Sequence, residues 1–157
     1  MKGVPEGFHT VTPYLVLRNA ARAIEFYRQA FGATVLFRAM HPDGGIMHAE
    51  IMIGNSPVMI TDESPNFPQL RSPQTMGGSP ISLFLYVEDA DAMAKQAVEA
   101  GAKMTWPMED ADDGDRRCGI EDPFGVTWWI ATQVKRISRA ELQKQYDEML
   151  KQQSEGQ

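Results

Sequence analysis

Two stretches of the chain, set 70 positions apart, carry the same punctuation. Asn19 and Asp89 each precede an apolar run of helical spacing, Gly32 and Gly101 each end one, and Ile60 and Ile130 each fall in the second arm of a hairpin, at offsets of 70, 69 and 70 positions. A fixed period of this kind marks a folding unit present twice. Its sharpest instance is the segment from Arg117 to Thr132. It turns at Asp122-Pro123-Phe124-Gly125, where Pro fixes φ, Gly accepts a positive φ, and Asp can bond the following backbone. Val126 to Ile130 beyond the turn is β-branched or aromatic throughout, as in a strand covered on both faces.

In the first unit, Thr12–Leu17 reads as a strand, with Pro13 tolerable near its start. Asn19 is placed to cap a helix over residues 20–31, whose Ala23, Ile24, Tyr27 and Phe31 recur at helical spacing. Strands follow at 34–40, 46–53 and 58–61, giving β-α-β-β-β over residues 12–61. Residues 62–79 contain Pro65, Pro68, Pro73, Gly77 and Gly78 without periodicity, which predicts a surface linker. The pattern restarts over 81–132, with strand 81–87, helix 90–100, a strand starting at 103–106, a solvated acidic loop at 109–115, and the hairpin. Ser138-Arg139-Ala140-Glu141 is a capping box opening a helix over 138–152. Leu142, Tyr146, Met149 and Leu150 give that helix an apolar stripe expected to dock on the chain's own sheet or, alternatively, on a second subunit. The fold class is therefore α+β: a single 1–157 domain with two tandem modules forming a cupped mixed sheet, plus a C-terminal helix.

Composition narrows the function classes. A chain of 157 residues buries roughly 70% of its unfolded surface in a compact fold, and no apolar run nears the ~20 residues that span a bilayer. The first seven residues lack the apolar centre of a signal peptide, so a cytoplasmic location is expected, and Cys118, the single cysteine, fits a reducing compartment. A net charge of −6 disfavours nucleic acid, which needs clustered Lys and Arg.

With its two modules, the Asp122-Pro123-Phe124-Gly125 turn and the Trp128-Trp129-Ile130-Ala131-Thr132 strand, the sequence resembles the vicinal oxygen chelate superfamily of glyoxalases, bleomycin- and fosfomycin-resistance proteins and extradiol dioxygenases. Thr12-Pro13-Tyr14-Leu15, Phe31-Gly32, His48-Ala49-Glu50, Leu85-Tyr86-Val87-Glu88-Asp89 and Gly114-Asp115-Arg116 are similar to its PhnB-like branch. The resemblance implies a pocket between two cupped halves, often in a homodimer. It also implies metal positions near Thr12, Met59, Ser82 and Trp129, none of which is the His or carboxylate that a divalent ion in such a site needs. No metal and no cofactor is expected.

Other residues suggest what the pocket could do. His48 and Glu50, two apart on a strand, share a face and could act as a general base with its orienting partner; a salt-linked pair on an open sheet face is the plain alternative. Arg116 could fix a planar anion, or brace its loop against Asp115. Tyr14, Phe84, Tyr86, Trp106 and Trp129 offer stacking walls, although core packing explains any one of them. The expected function is a metal-independent small-molecule-binding protein. The alternative is a lyase or isomerase acting on a small carbonyl compound, or a dioxygenase-like metalloenzyme with a displaced site, using His48 and Glu50.

Overall fold

The computed structural model describes residues 2–156. Among these, the first module runs β1 (Tyr14–Leu17), α1 (Ala20–Phe31), β2 (Thr34–Met40), β3 (Ile46–Ile53) and β4 (Ser56–Asp62). After a short α2 (Pro73–Met76), the second runs β5 (Ser82–Tyr86), α3 (Ala90–Ala100), β6 (Lys103–Asp110), β7 (Asp115–Glu121) and β8 (Thr127–Gln133). The chain ends in α4 (Arg139–Glu155). The strands make two four-stranded sheets, ordered β1-β4-β3-β2 and β5-β8-β7-β6, each with one parallel pair, β1 with β4 and β5 with β8. The expected α+β class and its repeated module are present, distributed over two sheets rather than one.

The repeat extends to how each module closes. Asn19 adopts a left-handed conformation, φ 58°, and makes no side-chain cap, contrary to expectation. Asp62, at the end of β4, accepts from the Ala20 N–H at 2.7 Å and from the Ile46 N–H at 2.7 Å, so one carboxylate satisfies the first turn of α1 and the start of β3. Seventy positions on, the Thr132 hydroxyl accepts from the Ala90 N–H at 2.8 Å. In this module Asp89 does cap its helix, accepting from Ala92 N.

The modules meet on their helix-covered sides. α1 packs on α3. Tyr27 and Phe31 of α1 lie 5.5 and 4.9 Å, centroid to centroid, from Trp128 of β8, and Phe26 lies 6.2 Å from Phe124. At this junction Asp122 is 3% exposed and accepts four hydrogen bonds, from Tyr27 Oη (2.6 Å), Trp128 Nε1 (2.9 Å), Phe124 N (2.9 Å) and Val126 N (3.0 Å). Burial raises the Asp122 pKa, and these donors oppose the shift without cancelling it. Tyr27, facing the carboxylate from a fully buried site, is raised well above the usual phenol value, first by burial and then by the Asp122 charge.

The linker is tied down more firmly than its composition suggests. Ser72, fully buried, caps α2 by accepting from Thr75 N, with Pro73 in the first turn. Glu63 accepts from Ser72 N and faces Arg18, whose Nη2 donates to Thr75 Oγ1 at 2.8 Å. Burial alone would raise the Glu63 pKa, but hydrogen bonds from Thr75, Ser72 and Arg18 outweigh it and bring it from 4.5 to about 2. A depressed carboxylate pKa contributes stability above the unfolded value and loses it as pH falls through the folded one. The 63–76 segment is therefore expected to gain amide-exchange and protease sensitivity as pH drops from about 4.5 toward 2. Glu63→Gln should show that sensitivity already at neutral pH; a segment equally protected at both pH values would refute the assignment.

Two further expectations change. The acidic loop expected at 109–115 shrinks to a turn at 111–114: β6 runs on through Pro107 to Asp110, because the proline coincides with a register break between Trp106 and Glu109 on an edge strand, where a missing N–H costs little, and Asp115 already belongs to β7. α4 fully buries no residue, and Tyr146, Met149 and Leu150 are exposed while Leu142 is half-buried, so most of its stripe stays uncovered.

Candidate functional site

Strand alternation divides each sheet into a helix-covered and an open face. In the first sheet Ala49, Ile51 and Ile53 of β3 are buried toward α1, which turns His48 and Glu50 the other way. Register adds Met59 and Phe37 beside Glu50, and Tyr14 beside Met59. His48 Nε2 lies 3.3 Å from Glu50 Oε1, with the two side chains 32% and 24% exposed. The imidazole is flanked by Tyr14, edge-on at 6.1 Å, and by Phe37 at 6.3 Å.

The open face of the second sheet is richer in aromatic surface. Phe84 of β5 stands in register with Trp129 of β8, their rings 6.1 Å apart and within 19° of parallel. Tyr86 lies 5.3 Å from Phe84, and Trp106 of β6 rises against Trp129 at 57° and 6.3 Å. Gly119 lies between the two tryptophans. A Cβ there would stand 3.1 Å from Trp106 Cβ and 3.4 Å from Trp129 Cζ3, so a side chain would force the rings apart. Two polar ring tips are matched to carboxylates: Trp106 Nε1 donates to Glu109 at 2.7 Å, and Tyr86 Oη donates to Asp115 at 2.8 Å. The hydrogen bond to Asp115, then burial, raises the Tyr86 pKa, which keeps the phenol a donor. Arg117 donates to Asp113 at 2.6 Å and lies 3.8 Å from Asp115. Burial lowers its pKa, but these carboxylates raise it further, so it remains charged.

These faces are uncovered. Tyr14 is 48% exposed, Phe84 46%, Trp106 51% and Tyr86 64%. Within one chain the halves do not close on each other, because the modules join through α1, α3 and the 122–128 hairpin on the opposite side.

The family model described as Glyoxalase/Bleomycin resistance protein/Dioxygenase superfamily matches residues 7–130. The chain belongs to this superfamily. An uncharacterized protein of Mycobacterium bovis is 38% identical over 135 residues, 85% of this chain and 89% of that protein. The X-ray structure of the Arabidopsis thaliana gene product At5g48480 superposes with a TM-score of 0.65 at 26% identity, covering 80% of this chain and 98% of that one. A PhnB protein from Bacillus cereus shares the fold, with a TM-score of 0.61 at 16% identity over 79% of this chain and 99% of that one.

The metal positions implied by the resemblance lie near Thr12, Met59, Ser82 and Trp129. Met59 and Trp129 occupy equivalent places, in register with Tyr14 and Phe84 on the two open faces. Two hydroxyls, a thioether and an indole do not fit a hard or borderline cation. Among the described residues, no cluster of three or more His, Cys, Asp or Glu side chains is arranged to hold an ion.

The structure brings Tyr14, His48 and Glu50 together on one face and Phe84, Tyr86 and Trp129 on the other. Arg116 falls elsewhere. It lies on the helix side, donating to Asp91 of α3 at 2.8 and 3.0 Å and to Asp110 at 3.3 Å, so it braces α3 against the sheet instead of facing the open surface. The guanidinium on the open face is Arg117, one position on. Sequence reasoning passed over Phe37 and read Glu109 and Asp115 as part of a solvated loop; only cross-strand register assigns these three to the open faces.

Proposed function

We propose that the chain is a cytoplasmic, metal-independent small-molecule-binding protein of the glyoxalase/bleomycin-resistance type, working as a homodimer. Each first-sheet face closes over the second-sheet face of the other copy. The observation that supports this best is the exposure of Tyr14, Phe84, Tyr86 and Trp106, between 46% and 64%, on faces that also carry oriented polar groups. A contiguous aromatic patch of this kind marks a binding surface. A twofold pairing covers both faces at once and leaves two equivalent hollows. Small-molecule binding is the common property of the superfamily, and the side chains at its metal positions supply no ligand set.

Binding should be visible as quenching of tryptophan fluorescence, since Trp106 and Trp129 line the proposed hollow. Titration of chelator-treated protein with glutathione adducts of methylglyoxal, catechols and glycopeptide antibiotics should give saturable quenching by at least one class, without turnover. Trp129→Ala should weaken that binding by tenfold or more, equivalent to about 1.4 kcal/mol. The His48–Glu50 contact supports a second reading, acid-base chemistry on a small carbonyl compound. Turnover abolished in His48→Ala and Glu50→Ala would put that reading first, and one equivalent of tightly held metal in protein purified without chelator would overturn metal independence.

A further inference from the structure

We infer that the open face of the second sheet takes an organic cation, its flat or quaternary-ammonium part seated on Trp129 and Phe84 and its charge turned toward Glu109. This rests on the small-molecule reading above and names the ligand class. Phe84 and Trp129 stand in adjacent strands with planes 19° apart, and Trp106 supplies a wall at 57°, so a flat group meets ring surface below and beside it. Ring faces are electron-rich and attract cations within about 6 Å of the centroid. Two of the rings are biased further in that direction. Trp106 donates its N–H, and Tyr86 its O–H, to a carboxylate, and a donor hydrogen-bonded to an anion pushes electron density back into its ring.

The charges on the face point the same way. Arg117, the guanidinium there, is held by Asp113 at 2.6 Å and lies 3.8 Å from Asp115, so an incoming carboxylate would have to displace an existing ion pair. Lys103 stands opposite Glu121 in register. Asp115 is buried beside Arg117, which leaves Glu109 as the exposed carboxylate whose side-chain donor is the neutral Trp106 tip. Covering it with a neutral ligand would desolvate it without a compensating charge, whereas a cation supplies one.

Three tricyclic probes of one size separate the possibilities by calorimetry on the full, chelator-treated protein: N-methylacridinium, acridine at a pH where it is neutral, and anthracene carboxylate. The cation should bind about tenfold more tightly than acridine, with the carboxylate weakest. Glu109→Gln should lower the affinity for the cation about tenfold while leaving that for acridine unchanged, and Trp129→Ala should weaken every probe, in variants whose circular dichroism and Tm match the parent. Acridine or the carboxylate binding as tightly as the cation overturns the ligand class and leaves small-molecule binding standing. No binding by any of the three overturns the ligand class, and small-molecule binding falls with it only if the fluorescence titration is silent as well.

Discussion

Asp122→Ala is expected to lower the unfolding free energy by about 4 kcal/mol, a large part of the 5–15 kcal/mol that holds an average domain together. The carboxylate accepts from Tyr27 of one module and from Trp128, Phe124 and Val126 of the other, so alanine leaves four buried donors without an acceptor. Each orphaned donor costs about 1–3 kcal/mol before relaxation or water entry recovers part of it. Tyr27→Phe removes one donor and keeps the ring on Trp128 at 5.5 Å, so it should cost only about 1 kcal/mol. Chemical denaturation measures both. An Asp122→Ala loss no larger than that of Tyr27→Phe would show that the carboxylate is not what joins the modules. Asp122→Asn should fall between them, because its amide turns one acceptor into a donor facing other donors.

Gly114→Ala should be nearly as damaging, for a different reason. Gly114 has φ +93°, and a Cβ there would lie 2.2 Å from the backbone carbonyl oxygen of Lys135. Its own carbonyl accepts from Val134 N at 2.9 Å and Lys135 N at 3.0 Å, which pins the exit from β8 against the 111–114 turn. Gly54 provides the control: its φ is also positive, at +59°, but a Cβ there meets nothing within 4 Å. Gly54→Ala should therefore show only the left-handed backbone penalty, about 1–2 kcal/mol, and Gly114→Ala that penalty plus a steric one, about 3 kcal/mol or more in total. The damage should also reach the site. Asp113 and Asp115 flank Gly114 and hold Arg117 and Tyr86, so a displaced turn disorders one rim of the aromatic face. Equal losses at the two glycines would mean that the turn yields freely and positions nothing.

The first-order fold was legible because its signals are local. The bounds of α1, α3 and β2 agree with spacing and glycine stops, and the repeat at 70 positions carried the topology. The misses are those in which a partner distant in sequence decides. Asn19 has the composition of a cap, but Asp62, 43 positions on, does the capping and leaves Asn19 in the left-handed region. Arg116 and Arg117 are chemically identical neighbours, and only the packing of α3, with Asp91 on it, decides which faces outward. Trp106 and Glu109 share a face through the break at Pro107, which hides their alternation from a strict count of two. The pairing of His48 with Glu50 was readable, since a strand interior without a bulge keeps parity. The Ser72-Pro73 start of α2 was also readable, as a capping residue followed by proline, but the surrounding proline and glycine masked it.

Complementation between two disabled copies tests the central claim most directly. Tyr14→Ala/His48→Ala damages the face of the first sheet, and Phe84→Ala/Trp129→Ala that of the second; each variant alone should fail to bind a ligand found by the fluorescence titration. Unfolding and refolding them together yields mixed dimers in which the two intact faces meet once, so about one quarter of wild-type binding capacity should return. A mixture as inactive as its parents, under conditions where refolded wild type recovers, would contradict a site shared between copies.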